Sequence, residues 1–174
     1  MILLPIKYAW LAGEHGPRML TEALKLYGVK ETVGTGNNPE IMSWADECGI
    51  KYDADVVPWC GLFAAVVAHR AKKPIPGSPL WARSWALWGS PAPVPSLADV
   101  LVFLRGNGGH VGLYVGEDID CFHVLGGNQG DTVSIARINR SRLIAARRHY
   151  PIGTPPNVRP IKLDIGGEVS VNEA

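Results

Sequence analysis

Apolar and polar residues repeat along this chain with two different periods, helical in the first half and strand-like in the second. Arg18 to Tyr27 carries apolar residues at 19, 20, 23, 24, 26 and 27 and is closed by Gly28, which predicts a helix. Pro39 to Glu47, with Ile41, Met42, Trp44 and Ala45, predicts a second short helix. Behind Pro58, an apolar run of good helix formers extends from Cys60 to about His69 or Arg70 and predicts a buried helix, since proline is tolerated in a first turn. Trp81, Trp85 and Trp88 are spaced i, i+4, i+7 and predict one face of a further helix, with core packing the expected use of that face. Tyr8 to Gly16 shows neither period.

From Asp99 the pattern changes. Val100 to Leu104 reads as a short buried strand, Arg105 to Gly109 as a tight turn, and His110 to Val115 as the second strand of a hairpin. Cys121 to Leu125 is a third strand, and Thr132 to Ile138 and Leu143 to His149 complete a meander. Helices first and an antiparallel sheet second predict an α+β fold, with N-terminal helices packed on a central antiparallel sheet. Residues 1–150 read as one domain. Residues 151–174, with Pro155, Pro156, Pro160 and Gly166-Gly167, read as a Pro/Gly-rich tail, a linker or disordered end.

Composition narrows the function classes. A chain of 174 residues, 47% hydrophobic and with formal net charge +1, has material for a core but no strong electrostatic footprint for nucleic acid. No apolar run approaches the ~20 residues of a membrane span. The start of the chain lacks a basic segment and meets Pro5 early, so no cleavable signal peptide is expected. Cys48, Cys60 and Cys121 are odd in number and have no CxxC spacing. Reduced thiols are the simpler reading, and a Cys48–Cys121 disulfide is the alternative.

Candidate chemistry centres on Cys60. A cysteine in an apolar run is usually packing. At a helix N-terminus, however, the unpaired N–H groups and the positive dipole end favour a thiolate. A thiolate nucleophile needs a base, and His110 opens a strand beside a glycine turn. The base needs a third polar group to set its tautomer. His123, on the neighbouring strand, and Asn128, in the loop beyond it, are the two candidates. Tyr52, Trp59 and His123 are candidates for lining a substrate cleft. Asp53 and Asp55 make a poor calcium loop, and no Cys/His pair has zinc spacing, so no metal and no cofactor are expected.

Pro58-Trp59-Cys60-Gly61-Leu62-Phe63, Arg83-Ser84-Trp85, Gly109-His110-Val111-Gly112 and Leu125-Gly126-Gly127-Asn128-Gln129 together resemble the NlpC/P60 and CHAP superfamily of papain-like cysteine hydrolases. The likeness is greatest to a phage and bacterial subgroup with Trp-Cys and Gly-Gly-Asn-Gln signatures, and it covers roughly Trp10 to Tyr150. The resemblance implies a papain-like fold and hydrolysis of amide bonds in peptidoglycan peptides, with Cys60 as nucleophile and His110 as base. NlpC/P60 enzymes point to His123 as the third residue. The CHAP-like pattern points to Asn128, which is preferred here because it lies in the signature. Asp99 matches an acidic family position and is expected to hold a turn. The partner implied is peptidoglycan, met in the periplasm or at the wall by a monomer that a holin, phage tail or secretion machine delivers. Two other readings stand beside it: a non-catalytic wall-binding module of the same fold, and a cysteine deamidase or acyltransferase with another substrate.

Overall fold

Each of the first three predicted helices forms, and each has a physical start or stop. In the computed structural model, which describes residues 3–34, 36–164 and 166–173, α1 (Arg18–Lys25) buries Met19, Leu20, Ala23 and Leu24. α2 (Pro39–Cys48) starts at Asn38, whose side chain accepts the Glu40 N–H at 2.7 Å, and stops at Gly49 in the left-handed region (φ 65°). α3 (Cys60–Arg70) is buried from Cys60 through Ala68, as an all-apolar helix must be. Residues Ala82–Leu87 form a 3-10 helix instead of an α-helix. Its tighter winding breaks the expected tryptophan face: Trp85 and Trp88 are buried, while Trp81 is 60% exposed. A 3-10 segment at Ile6–Gly13, where the sequence shows no clear period, seats Tyr8 and Leu11 in the core.

The helices pack on a seven-stranded, mostly antiparallel open sheet, which makes this an α+β protein. The strands are β1 (Ser90–Pro91), β2 (Val100–Arg105), β3 (Gly108–Glu117), β4 (Cys121–Gly126), β5 (Ser134–Asn139), β6 (Leu143–Arg148) and β7 (Val169–Ser170), in the order β1-β6-β2-β3-β4-β5-β7. The meander therefore holds only from β2 to β5. β6 crosses over to pair with β2, where Leu143 and Ala146 join a cluster of Leu101, Phe103, Tyr114, Phe122, Val124 and Ile138. Strand period fixes which face a residue takes but not which strand lies alongside. The main core lies on the other side, where α3 is packed among α1, α2 and the sheet.

Residues beyond 150 lie along this body. The Leu97 N–H donates to Arg159 O, the Leu163 N–H to Glu117 O, and β7 pairs in parallel with β5. Asp99, as expected, holds a turn: it accepts the Ser96 N–H at 2.8 Å and a two-pronged bond from Arg148.

Candidate active site

Position 60 is set by a tight fit on both sides of the α3 start. A Cβ on Gly61 would lie 2.2 Å from Pro79 O and 2.9 Å from Leu80 O, so only glycine lets the first turn lie flush on that segment. Trp59 is fully buried, tilted against Trp44 with centroids 5.9 Å apart, and its Nε1–H donates to Glu31 at 2.6 Å. Tyr52 anchors the loop before the helix by donating from its hydroxyl to Val57 O at 2.6 Å. Both residues, expected as cleft lining, are packed into the core beneath Cys60.

His110 lies on the part of β3 that pairs with β2 alone. The β3–β4 pairing begins only at Leu113↔Leu125, and the N-terminus of α3 meets the sheet there. Burial would push the Cys60 thiol up, but it is outweighed. The nearby imidazole of His110 and its charge, with the Val111 N–H and the Arg105 guanidinium, hold the thiol below its usual value. The structure thus brings Cys60 and His110 together.

The group on the far side of His110 is Gln129, not Asn128. His110 Nε2 meets Gln129 Oε1 at 2.9 Å. The Gln129 amide nitrogen donates to Val124 O at 3.1 Å and Ser134 O at 2.7 Å, which fixes the oxygen toward the imidazole. Nε2 must then carry a proton, which leaves Nδ1 with a lone pair in the neutral ring. Nδ1 is buried and makes no hydrogen bond of ordinary geometry. By elimination it is the nitrogen that serves Cys60, and such contacts often tighten only around a substrate.

The Gly126-Gly127-Asn128-Gln129 signature can now be read residue by residue. A Cβ on Gly126 would lie 2.8 Å from Gln129 Oε1 and 3.3 Å from His110 Nε2, so this glycine leaves room for their bond. A Cβ on Gly127 would strike Phe63 Cβ at 2.6 Å and the Trp59 ring at 2.7 Å, so this one lets the loop close on α3. Asn128 takes the left-handed conformation (φ 56°) that asparagine tolerates better than most residues, and it turns the chain so that Gln129 points back. Its Oδ1 is buried without a partner. Sequence reasoning misses Gln129 because it prefers Asn128 for its place in the Gly-Gly-Asn-Gln signature and does not weigh the glutamine beside it. The available signal was that asparagine is also the better left-handed turn former.

His123 belongs to a different cluster. Its Nε2–H donates to Asp118 at 2.8 Å and its Nδ1 accepts the Tyr8 hydroxyl at 2.6 Å. Burial holds its pKa down, against the pull of Asp118, so the ring is neutral. Asp55 is buried and accepts the Asn38 N–H at 2.7 Å, which leaves it a loop-holding role. Cys48, Cys60 and Cys121 are all free thiols. Among the described residues, no three or more His, Cys, Asp or Glu side chains gather as a metal site.

Cys60 is 2% exposed and His110 0%, so the pair is closed to solvent in this conformation. No protein-family model, curated protein or solved structure matches this chain.

Proposed function

We propose that this chain is a papain-like cysteine hydrolase that cleaves amide bonds in peptidoglycan peptides. The observation that carries the reading is the Cys60–His110–Gln129 relay: a thiol held below its usual pKa by an imidazole whose other nitrogen is held by a fixed amide oxygen. The peptidoglycan half rests on the family resemblance of the Trp-Cys, Gly-His-Val-Gly and Gly-Gly-Asn-Gln segments.

In the mechanism, the Cys60 thiolate attacks the amide carbonyl carbon. The C–N bond breaks as a thioester forms, and the His110 imidazolium gives its proton to the departing amine. His110 then takes a proton from water, which attacks the thioester; the C–S bond breaks, releasing the carboxylic acid and restoring the Cys60 thiolate beside the His110 imidazolium. The Cys60 N–H, in the first turn of α3 where no intrahelical acceptor exists, is positioned to donate to the oxyanion. No helix among the described residues is long and apolar enough to cross a membrane.

The test is release of new amino and carboxyl termini from purified peptidoglycan, identified by mass spectrometry. Wild type is expected to release them, and Cys60→Ala and Cys60→Ser to release none while keeping the wild-type Tm within about 2 °C. Undiminished release by Cys60→Ala would end the proposal. The closure of the pair favours one second reading, a non-catalytic module of the same fold. Sluggish alkylation of Cys60 under every condition, with no peptide release, would establish that reading instead.

A further inference from the structure

Closure of the Cys60–His110 pair coincides with an unusual residue on the last segment of the chain. The arm from Gly166 to Glu173 is mostly exposed, and Val171 is 86% accessible, yet Glu173 is 1% exposed. A charged side chain is therefore the buried anchor of an arm that is otherwise on the surface, the reverse of the usual pattern.

The seat of that anchor is tied to both flanks of the candidate site. Arg142 holds the Glu173 carboxylate with two parallel bonds, Nη1 at 2.8 Å and Nη2 at 2.8 Å, and the Ser170 hydroxyl adds a third at 2.9 Å. Arg142 Nε–H donates to Leu104 O at 2.9 Å, and Leu104 is the register partner of Gly109, the residue before His110. The Glu173 carbonyl accepts the N–H of Gly130 at 2.9 Å, and Gly130 follows Gln129. Glu173 is thus wedged between the neighbours of the base and of the residue that orients it. Burial would raise the Glu173 carboxyl, but the Arg142 hydrogen bond first, and then the charge of His110 and the Ser170 bond, hold it low.

A second guanidinium, that of Arg105, acts on Cys60 itself. Arg105 Nη1 is a buried donor with no acceptor. A guanidinium that holds a carboxylate with two parallel bonds is the chemistry of a carboxylate-recognition site.

We propose that Arg142 is a carboxylate-binding subsite of the Cys60–His110 centre, and that Glu173, carried in on the exposed arm, fills it as a self-blocking plug. The proposal rests on the Cys60–His110 reading above. The ligand that displaces the plug is a peptide bearing a carboxylate near the scissile amide. Strand pairing adds little to seating the arm, since β7 is two residues long and pairs with the edge of β5; the arm is held by Glu173 together with bonds from Arg137 to Gly167 O and from Arg142 to Ser170 O. With the arm seated, reactivity at Cys60 is reduced to the fraction of time the arm is open.

The test uses the full chain and needs no wall substrate. Alkylation rates of Cys48, Cys60 and Cys121 are measured separately by peptide mass spectrometry at neutral pH, with iodoacetamide and with the anionic reagent iodoacetate. In Glu173→Ala, and in the gentler Glu173→Gln, the Cys60 rate with iodoacetamide is expected to rise about tenfold while Cys48 and Cys121 stay as in wild type. In Glu173→Ala the iodoacetate-to-iodoacetamide ratio at Cys60 should also rise about threefold, and Arg142→Gln in that background should remove the rise. An unchanged Cys60 rate, a ratio indifferent to Arg142, or an equal rise at all three cysteines, which would mean that Glu173 supports the fold at large, overturns the proposal. Opened alkylation without release of termini from peptidoglycan would sink the hydrolase reading and leave the plug standing. Release by wild type with no effect of Glu173 on Cys60 would do the opposite.

Discussion

Neighbouring residues in the Gly126–Gln129 loop carry out different tasks, and substitution can separate them. Gln129 holds His110 Nε2 with an oxygen that cannot turn away, because its amide nitrogen is bonded to Val124 and Ser134. Asn128 supplies a left-handed backbone. Asn128→Gly keeps that conformation at no steric cost and is expected to leave peptide release near wild type. Gln129→Leu leaves the imidazole without its acceptor and should lower kcat about a hundredfold. A readout that simple loss of packing would not move is the pH dependence of alkylation. In wild type, Cys60 should reach half its maximal rate below the ordinary thiol range, whereas burial lifts Cys48 to about 11. In Gln129→Leu the Cys60 midpoint should climb toward the ordinary thiol value, because an imidazole free to change tautomer supports the thiolate less well. If Asn128→Gly were the variant that shifted it, the asparagine would be the orienting residue after all.

At the scale of elements, the start of α3 shows why the position of Cys60 is a packing problem first. Gly61→Ala would put a methyl group 2.2 Å from Pro79 O, a backbone atom that cannot swing aside. Overpacking of that kind is expected to cost about 2–3 kcal/mol, read as a lower urea midpoint. The displacement should also raise the alkylation midpoint of Cys60 by moving it off His110. Unchanged stability would mean that the 79–80 segment yields freely. The helices and inner strands were legible because period reports burial: α1, α2, α3 and β2 through β6 all lie over patterned residues. What stayed hidden was neighbourhood. No period tells β6 to cross to β2, or β7 to join β5. The 3-10 winding of Ala82–Leu87 likewise goes with Trp85 and Trp88 donating to Pro79 O and Pro74 O, bonds that apolar period does not encode. Cys60 and His110 were legible as types in context. Gln129 was not, because its role depends on a turn that only the coordinates display.

Across the whole molecule, a buried polar cluster around Asp118 and His123 joins the N-terminal segment to the sheet, and it should control acid stability. Asp118 accepts from His123 at 2.8 Å, from Arg137 at 2.8 Å and from the backbone N–H groups of Asp120 and Cys121, while His123 accepts from Tyr8. Burial would raise the Asp118 carboxyl, but these donors outweigh it and hold it well below the usual carboxylate range. His123 is held below its ordinary value by burial. Both shifts have the same sign for stability. Above roughly pH 6.5 both contributions are complete. As pH falls, the unfolded chain binds a proton at His123 before the folded one does, and later at Asp118, so stability declines in two stages. Asp118→Asn leaves Arg137 buried without its counter-charge and should cost about 3 kcal/mol at pH 7, or roughly 10 °C in Tm. It should also flatten the decline below about pH 4, where Asp118 of the unfolded chain takes up its proton while the folded one does not. Urea unfolding at pH 7 and pH 3.5 checks both halves of the expectation. A variant as stable as wild type at pH 7 would mean that water reaches Arg137 and His123 readily, and that the N-terminal segment is held to the sheet by Tyr8 and Leu11 packing alone.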